Sequence, residues 1–266
     1  MKIKAAVLYE PNQPMAVETI DLDEPREGEV LVRIAAAGVC YSDYHIMIGE
    51  WTHPLPVVLG HEGAGVVERV GPGVTRLVPG QTVILNFRAN CGTCHYCIIG
   101  RPVLCDGVDA PRNTMFDGSS RLSKDGQTIH HMARTSCFAE YAVVPESGAV
   151  PVRADMPLDK GCLVGCAVMT GVGSVVNTAR IEAGSSVAVI GCGGVGLNAV
   201  QGAVLAGAGQ IIAVDLLDNK LEYAREFGAT HLVNSGNGDA VEQVVKLTGG
   251  GVDYAFEAIG NVHTIN

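Results

Sequence analysis

Aromatic residues make up only 5% of the chain, and the sequence carries no excess of basic charge, no secretory leader, no internal repeat and no low-complexity segment. Each absence narrows the reading. Eighteen Lys and Arg against 28 Asp and Glu leave a formal charge of −10, which argues against nucleic acid or an anionic membrane surface as a partner. The N-terminus, Met-Lys-Ile-Lys-Ala-Ala-Val-Leu-Tyr-Glu, lacks the apolar run and small-residue cleavage site of a signal peptide, so a cytoplasmic location is expected. Between Ser185 and Val214 charge is missing altogether, over a length that would suit a transmembrane helix. Glycines scattered through that run, with β-branched residues at both ends, fit parallel strands buried on two faces better, and no membrane association is expected. Scarce aromatics beside 34 glycines suit strands and tight turns with closely packed backbones.

What is present centres on Ser186–Asp215. An apolar β run, Val187–Ile190, breaks into Gly191-x-Gly193-x-x-Gly196, including Gly194 and Val195, after which the spacing turns helical. Such glycines permit a tight turn, close approach to a pyrophosphate and close helix–strand packing, while the helix start offers amide N–H groups to an anion. A second β run, Ile211–Val214, ends on Asp215, where an acid accepts hydrogen bonds from ribose hydroxyls and repels the extra phosphate of NADP. The order strand, turn, helix, strand, acid predicts an NAD site. Further on, helices over Asp218–Phe227 and Asp239–Thr248 alternate with strands His231–Val233 and Val252–Phe256, which implies a doubly wound parallel sheet.

Upstream, the first 85 residues read as β-rich, with runs at Ile3–Leu8, Glu29–Ala35 and Ala64–Val70 broken by Pro and Gly turns, the pattern of a small barrel or sandwich. Cys91, Cys94, Cys97 and Cys105 follow the spacing C-x2-C-x2-C-x7-C, a closed tetrahedral set that predicts a structural zinc, with an iron–sulfur cluster as the alternative. His95 lies inside that loop and is expected to face solvent, the four-cysteine set being complete. Residues 106–135 are polar and poor in pattern, and a surface excursion is expected. Phe138–Val144 and Val150–Val152 return to strand, and Leu158–Val176 reads as a helix linking two domains. Cys137, Cys162 and Cys192 have no motif partners and read as packing residues.

Gly38-Val39-Cys40-Tyr41-Ser42-Asp43, Gly60-His61-Glu62, the four-cysteine loop, Gly165-Cys166 and the fingerprint from Gly191 to Asp215, in this order, resemble the zinc-dependent medium-chain alcohol dehydrogenases. The resemblance implies a GroES-like catalytic β-barrel domain, placed at residues 1–155, and a Rossmann NAD-binding domain, placed at 156–266. It implies a second, catalytic zinc on Cys40, His61 and Cys166 with the fourth position open, so two zincs per chain. The chemistry is self-consistent, because three protein ligands with an open site let zinc act as a Lewis acid on an alcohol oxygen. Taken singly, those cysteines would be buried hydrophobes and His61 a core histidine.

By the same resemblance Ser42 takes the alcohol proton and His45 passes it to solvent, Asp43 orients His61, and Glu62 is a carboxylate that approaches the metal during ligand exchange. Thr170 and Val195 would pack on the nicotinamide, Lys220 would join Asp215 at the ribose, and Trp51, Phe87 and Phe138 would line the substrate pocket. The implied activity is hydride transfer between a primary alcohol or aldehyde and NAD, by a possible homo-oligomer. Thiol-dependent formaldehyde oxidation, with Arg112 or Arg121 holding a carrier carboxylate, is the first alternative, and a non-catalytic zinc- and nucleotide-binding module is the second. Two features depart from the family pattern. Tyr41 stands where family members often carry Arg or His for the pyrophosphate. The dinucleotide fold, which has six strands when complete, has about four by Asn266, so a truncated sheet is expected.

Overall fold

The computed structural model describes residues 1–107 and 110–265, and its backbone separates into two compact units, Met1–Cys166 and the chain from Ala167 onward. The first unit is built on alternation. In β1 (Lys2–Leu8), Ile3, Ala5 and Val7 face the core while Lys2 and Lys4 face water, as a strand buried on one side requires. Next come β2 (Ala16–Leu22), β3 (Glu29–Gly38), β4 (Val57–Val58), β5 (Glu62–Val70) and β6 (Thr82–Leu85), then β7 (Leu122–Lys124), β8 (Gln127–His131), β9 (Tyr141–Pro145) and β10 (Ala149–Pro151). They form a closed barrel in the order β1-β2-β7-β8-β4 and a five-stranded sheet in the order β10-β6-β5-β3-β9. Short helices α1 (Tyr41–Met47), α2 (His95–Ile98) and α3 (Leu158–Gly161) lie in the connections.

Two expectations fail in this unit, for identifiable reasons. Residues 106–135 are not a surface excursion, although positions 108 and 109 lie outside the described residues. They supply two barrel strands and bury Met115, Arg121, Ile129, His131 and Met132. The Arg121 guanidinium is 1% exposed and ion-paired to Glu29 at 2.6 Å and Asp117 at 2.8 Å. A charge so compensated can sit in a core, and hydropathy alone does not register a pair made between residues 29 and 121. The stretch Leu158–Val176 is likewise not one helix. After α3 it makes a 3-10 turn, Cys162–Gly165, breaks at Cys166 with φ −138° and ψ −72°, and restarts as α4 (Ala167–Gly173) followed by a π-helical turn, Ser174–Ala179. Segment 158–165 packs on β3, β5 and β6, so the compact units divide after Cys166 and not after residue 155. Gly165 permits the approach, since a Cβ there would lie 2.2 Å from the Leu85 carbonyl.

The second unit continues through β11 (Ser186–Ile190), α5 (Gly194–Leu205), β12 (Gln210–Asp215), α6 (Asp218–Glu226), β13 (His231–Asn234), α7 (Ala240–Thr248), β14 (Tyr254–Glu257) and α8 (Val262–Ile265). The four strands are parallel in the order β13-β12-β11-β14. The chain winds outward from β11 to β13 and then crosses back to β14, which is the Rossmann-type winding expected. The uncharged run therefore resolves into strand, turn, helix and strand. Val187, Val189, Val200 and Ile211 are at most 2% exposed, and burying a side chain of that size contributes roughly 1.5–3 kcal/mol. Asp239 caps α7 by accepting the N–H groups of Val241 and Glu242, and Gly249 ends it at φ 74°. Among the described residues no single helix is long and apolar enough to cross a membrane.

Candidate metal centres and nucleotide turn

Among the described residues of the first unit, two clusters of ligand-type side chains occur. The first is local. Cys91, Cys94, Cys97 and Cys105 place their sulfurs 3.5 to 3.9 Å apart along the Cys94–Cys97, Cys91–Cys105 and Cys94–Cys105 edges. A tetrahedron of 2.3 Å zinc–sulfur bonds has edges of about 3.8 Å, whereas a disulfide needs about 2.05 Å. The four thiols thus fit a tetrahedral cation. Backbone N–H groups of Cys91, Cys94 and Gly107 each donate to one of these sulfurs at 3.3 Å. Burial opposes ionisation of Cys91, yet the Thr93 and Cys94 N–H groups bring it down to about 6, while burial and Cys94 push Cys97 up to about 12. Four such thiols hold their full charge only around a cation. His95 is exposed, as expected.

The second cluster is assembled from distant segments. Cys40 immediately precedes α1, His61 immediately precedes β5, Glu62 begins β5 and Cys166 occupies the break before α4. One ligand atom from each of these four lies within 4.8 Å of all the others. Asp43, fully buried, ties the first two segments together. Its Oδ2 accepts the Cys40 N–H at 3.0 Å, and its Oδ1 accepts the Gly60 N–H at 2.9 Å and faces His61 Nδ1 at 3.4 Å. That contact leaves His61 Nε2 for the cluster. Gly38 makes room for the carboxylate of Glu62, its β-sheet partner, because a Cβ at 38 would sit 2.2 Å from Oε2.

A hydrogen bond from Cys166, aided by His61, overcomes burial and lowers the Cys40 thiol to about 3. Burial disfavours the His61 cation, but Asp43 and Cys40 raise it to about 9. The cluster is an anionic-sulfur, imidazole and carboxylate set, a donor chemistry that suits zinc.

Of the other residues singled out in the sequence, Ser42 and Phe87 stand against this cluster. Ser42 Oγ lies 3.8 Å from Cys40 Sγ. His45, three residues along α1, stacks on Trp51 at 4.7 Å, meets the edge of Tyr41 at 4.6 Å and hydrogen-bonds Glu50 through Nδ1. Glu50 carries no motif and was not singled out; an acid close behind a helical His was its only signal. Phe87 stands edge-on to His61 at 5.5 Å. Phe138 packs beside Leu8, Leu59 and Met132, with its ring against Gly60, the residue before His61. Arg121, buried and doubly paired, has no capacity for a carrier carboxylate, which removes the support it lent to the thiol-dependent alternative.

In the second unit the three glycines of the turn do three different things. Gly191 has φ 93°, Gly193 has open space where a Cβ would point, and a Cβ on Gly196 would sit 1.7 Å from the Gly191 carbonyl. Turn, clearance and close packing are the uses a pyrophosphate-binding turn makes of glycine. Asp215 accepts the N–H groups of Cys192 at 2.8 Å and Leu217 at 3.0 Å, which holds its carboxylate at the end of β12. A cavity of about 880 Å³, lined by Gly191, Gly193, Asp215, Lys220, Val244 and Ile259 among others, opens there. Gly194 and Val195 begin α5, and Thr170 is exposed on α4.

Residues 26–154 match the family described as alcohol dehydrogenase GroES-like domain, and residues 194–266 match that described as zinc-binding dehydrogenase. Among solved structures, an alcohol dehydrogenase zinc-binding domain protein from Burkholderia ambifaria is 39% identical with a TM-score of 0.94. Benzyl alcohol dehydrogenase from Acinetobacter calcoaceticus is 35% identical with a TM-score of 0.92, and a zinc-binding dehydrogenase from Sinorhizobium meliloti, solved with NADP, is 32% identical with a TM-score of 0.81. Each comparison covers 100% of this chain and 72% of the other. On the family matches, the shared fold and these identities, the chain belongs to the zinc-binding dehydrogenases of the medium-chain dehydrogenase/reductase family.

Proposed function

We propose that the chain carries the zinc sites and nucleotide turn of an NAD-dependent alcohol dehydrogenase acting on primary alcohols and aldehydes with an apolar substituent. The observation that carries this reading is the convergence of Cys40, His61 and Cys166, braced by Asp43, with the Phe87 ring against His61. Bound zinc supplies a Lewis acid for the substrate oxygen, and NAD supplies the hydride acceptor. Cys40, His61 and Cys166 would hold the metal, and the Glu62 carboxylate lies within 4.8 Å of their ligand atoms. Ser42 accepts the alcohol proton at Oγ, and His45, partly exposed, hands it to water. Phe87 and Trp51 favour an apolar substituent on the reacting carbon. The four-cysteine loop holds a second, structural zinc.

In the nucleotide turn, Asp215 and Lys220 meet the adenosine ribose, and the amides of Gly193, Gly194 and Val195 meet the pyrophosphate, with Thr170 and Val195 on the nicotinamide side. The Asp215 carboxylate supports NAD over NADP by charge repulsion, although the Sinorhizobium neighbour was solved with NADP. The similarity to a benzyl alcohol dehydrogenase supports an aromatic or otherwise apolar alcohol. Reduced-nucleotide formation at 340 nm, with benzyl alcohol, a short aliphatic alcohol and a sugar alcohol, each tested with NAD and with NADP, checks both points. Fastest turnover with benzyl alcohol and NAD is expected; turnover only with NADP, or only with the sugar alcohol, would overturn the reading.

A further inference from the structure

The connection from β8 to β9 holds its backbone in an unfavourable form. Ala133, Arg134 and Ser136 have φ of 53°, 61° and 52°, a region that disfavours any residue with a Cβ. Such a run persists only where its surroundings over-determine it, and here they do so on two flanks. On one flank the Thr135 hydroxyl lies 2.8 Å from the Met132 carbonyl and 3.2 Å from that of Gly60. The Cys137 N–H donates to Gly60 at 3.0 Å, and the Phe138 N–H donates to Leu59 at 3.1 Å. The connection is therefore pinned to the residues just before His61.

On the other flank Arg134 reaches the four-cysteine lobe. It is 5% exposed, its Nη2 donates to the carbonyls of Ala110 at 2.7 Å and Pro111 at 3.3 Å, and its guanidinium lies 4.5 Å over the Phe116 ring. A Cβ on Gly107 would come within 2.7 Å of Nη2, and the Gly107 N–H donates to Cys105 Sγ. Arg134 Nε is buried without a hydrogen-bond partner among the described residues. Burial and the charge of Arg112 disfavour this cation, while Cys105 and Cys91 favour it. Among the described residues, the charges that favour this buried cation are those of Cys105 and Cys91, two members of the four-cysteine set.

We propose that Arg134 is the counter-cation of the four-cysteine site and the strut that ties that lobe to the Leu59–Gly60 segment, so that its guanidinium slows metal loss from Cys91, Cys94, Cys97 and Cys105. The inference rests on reading that loop as a zinc site. A zinc held by four thiolates carries a net charge of −2, and groups that support ligands from outside the metal shell commonly change metal affinity about 10–100-fold.

The test uses the full chain in a Cys40→Ser background, so that bound zinc reports the four-cysteine loop, and follows transfer of zinc to a chromogenic chelator. Arg134→Gly removes the guanidinium while easing the backbone, so faster release from it is not a result of added strain. About 10–100-fold faster release is expected, with Arg134→Lys, which keeps the charge but not the fork, in between. Equal release from Arg134→Gly and its parent overturns the role of Arg134. A parent that holds no zinc overturns the four-cysteine reading and the proposal with it. Should Arg134→Gly not fold, release from Arg134→Lys at the parent rate overturns the strut.

Discussion

The two ligand clusters of the first unit differ in how they are made. Cys91, Cys94, Cys97 and Cys105 come from one loop, whose own N–H groups already point at the sulfurs. Cys40, His61 and Cys166 come from a helix start, a strand start and a helix break, and meet only because β3, β5 and segment 158–165 pack together. A local cluster closes a short loop at small entropic cost, whereas a cluster assembled from distant segments relies on the folded sheet to bring its ligands together. The first should depend on its own loop and on the tie through Arg134; the second should answer to every change in the barrel that carries it.

The largest separation of the two is expected from Cys40→Ser. Zinc content should fall from two per chain to one, and turnover should fall about 10³-fold, the loss of about 4 kcal/mol of transition-state stabilisation. Metal analysis of the purified variant checks it, and retention of both zincs would break the comparison.

A smaller effect is expected from Asp43→Asn, which leaves every ligand in place but puts an amide where Cys40, Gly60 and His61 need an acceptor. Zinc at the assembled cluster should be held about 10–100-fold less tightly, while zinc in the four-cysteine loop is unchanged. Competition with a graded series of chelators resolves the two.

The smallest effect sharpens the dependence on the barrel. His131 is fully buried; burial, then the charges of Arg121, His130 and Arg134, lower it to about 3, and its Nε2 accepts the Arg121 N–H at 3.0 Å. Its folded value lies below the ordinary value of about 6.5, so above 6.5 both folded and unfolded chains carry it neutral. As pH falls, the unfolded chain takes up the proton first. Stability is therefore lost progressively from about pH 6.5 toward about pH 3, by up to about 1.4 kcal/mol per pH unit, or about 1 kcal/mol between pH 6 and pH 5. Urea midpoints across that range should shift in this direction, and His131→Gln should flatten the shift.

The same contrast decides what could be read from the chain. The glycine turn, Asp215, the four-cysteine loop and the alternation of the second unit were legible because each depends on spacing within a few tens of residues. The barrel role of residues 106–135 was not, because Arg121 becomes a core residue only through Glu29, far away in sequence. Nor was the break at Cys166, because an apolar run with helical spacing does not reveal that Gly165 must press onto the Leu85 carbonyl.

By itself, then, the sequence determined the residue types and the local geometries: the turn of Gly191, Gly193 and Gly196 and the spacing of the four cysteines; it is the family resemblance that points to Cys40, His61 and Cys166 as ligands. Only the tertiary structure decided that those three ligands meet, that Asp43 braces two of them at once, and that Arg134 reaches from the His61 side to the four-cysteine lobe. Each of these depends on contacts between segments far apart in the chain, and packing creates such contacts where local propensity has no say.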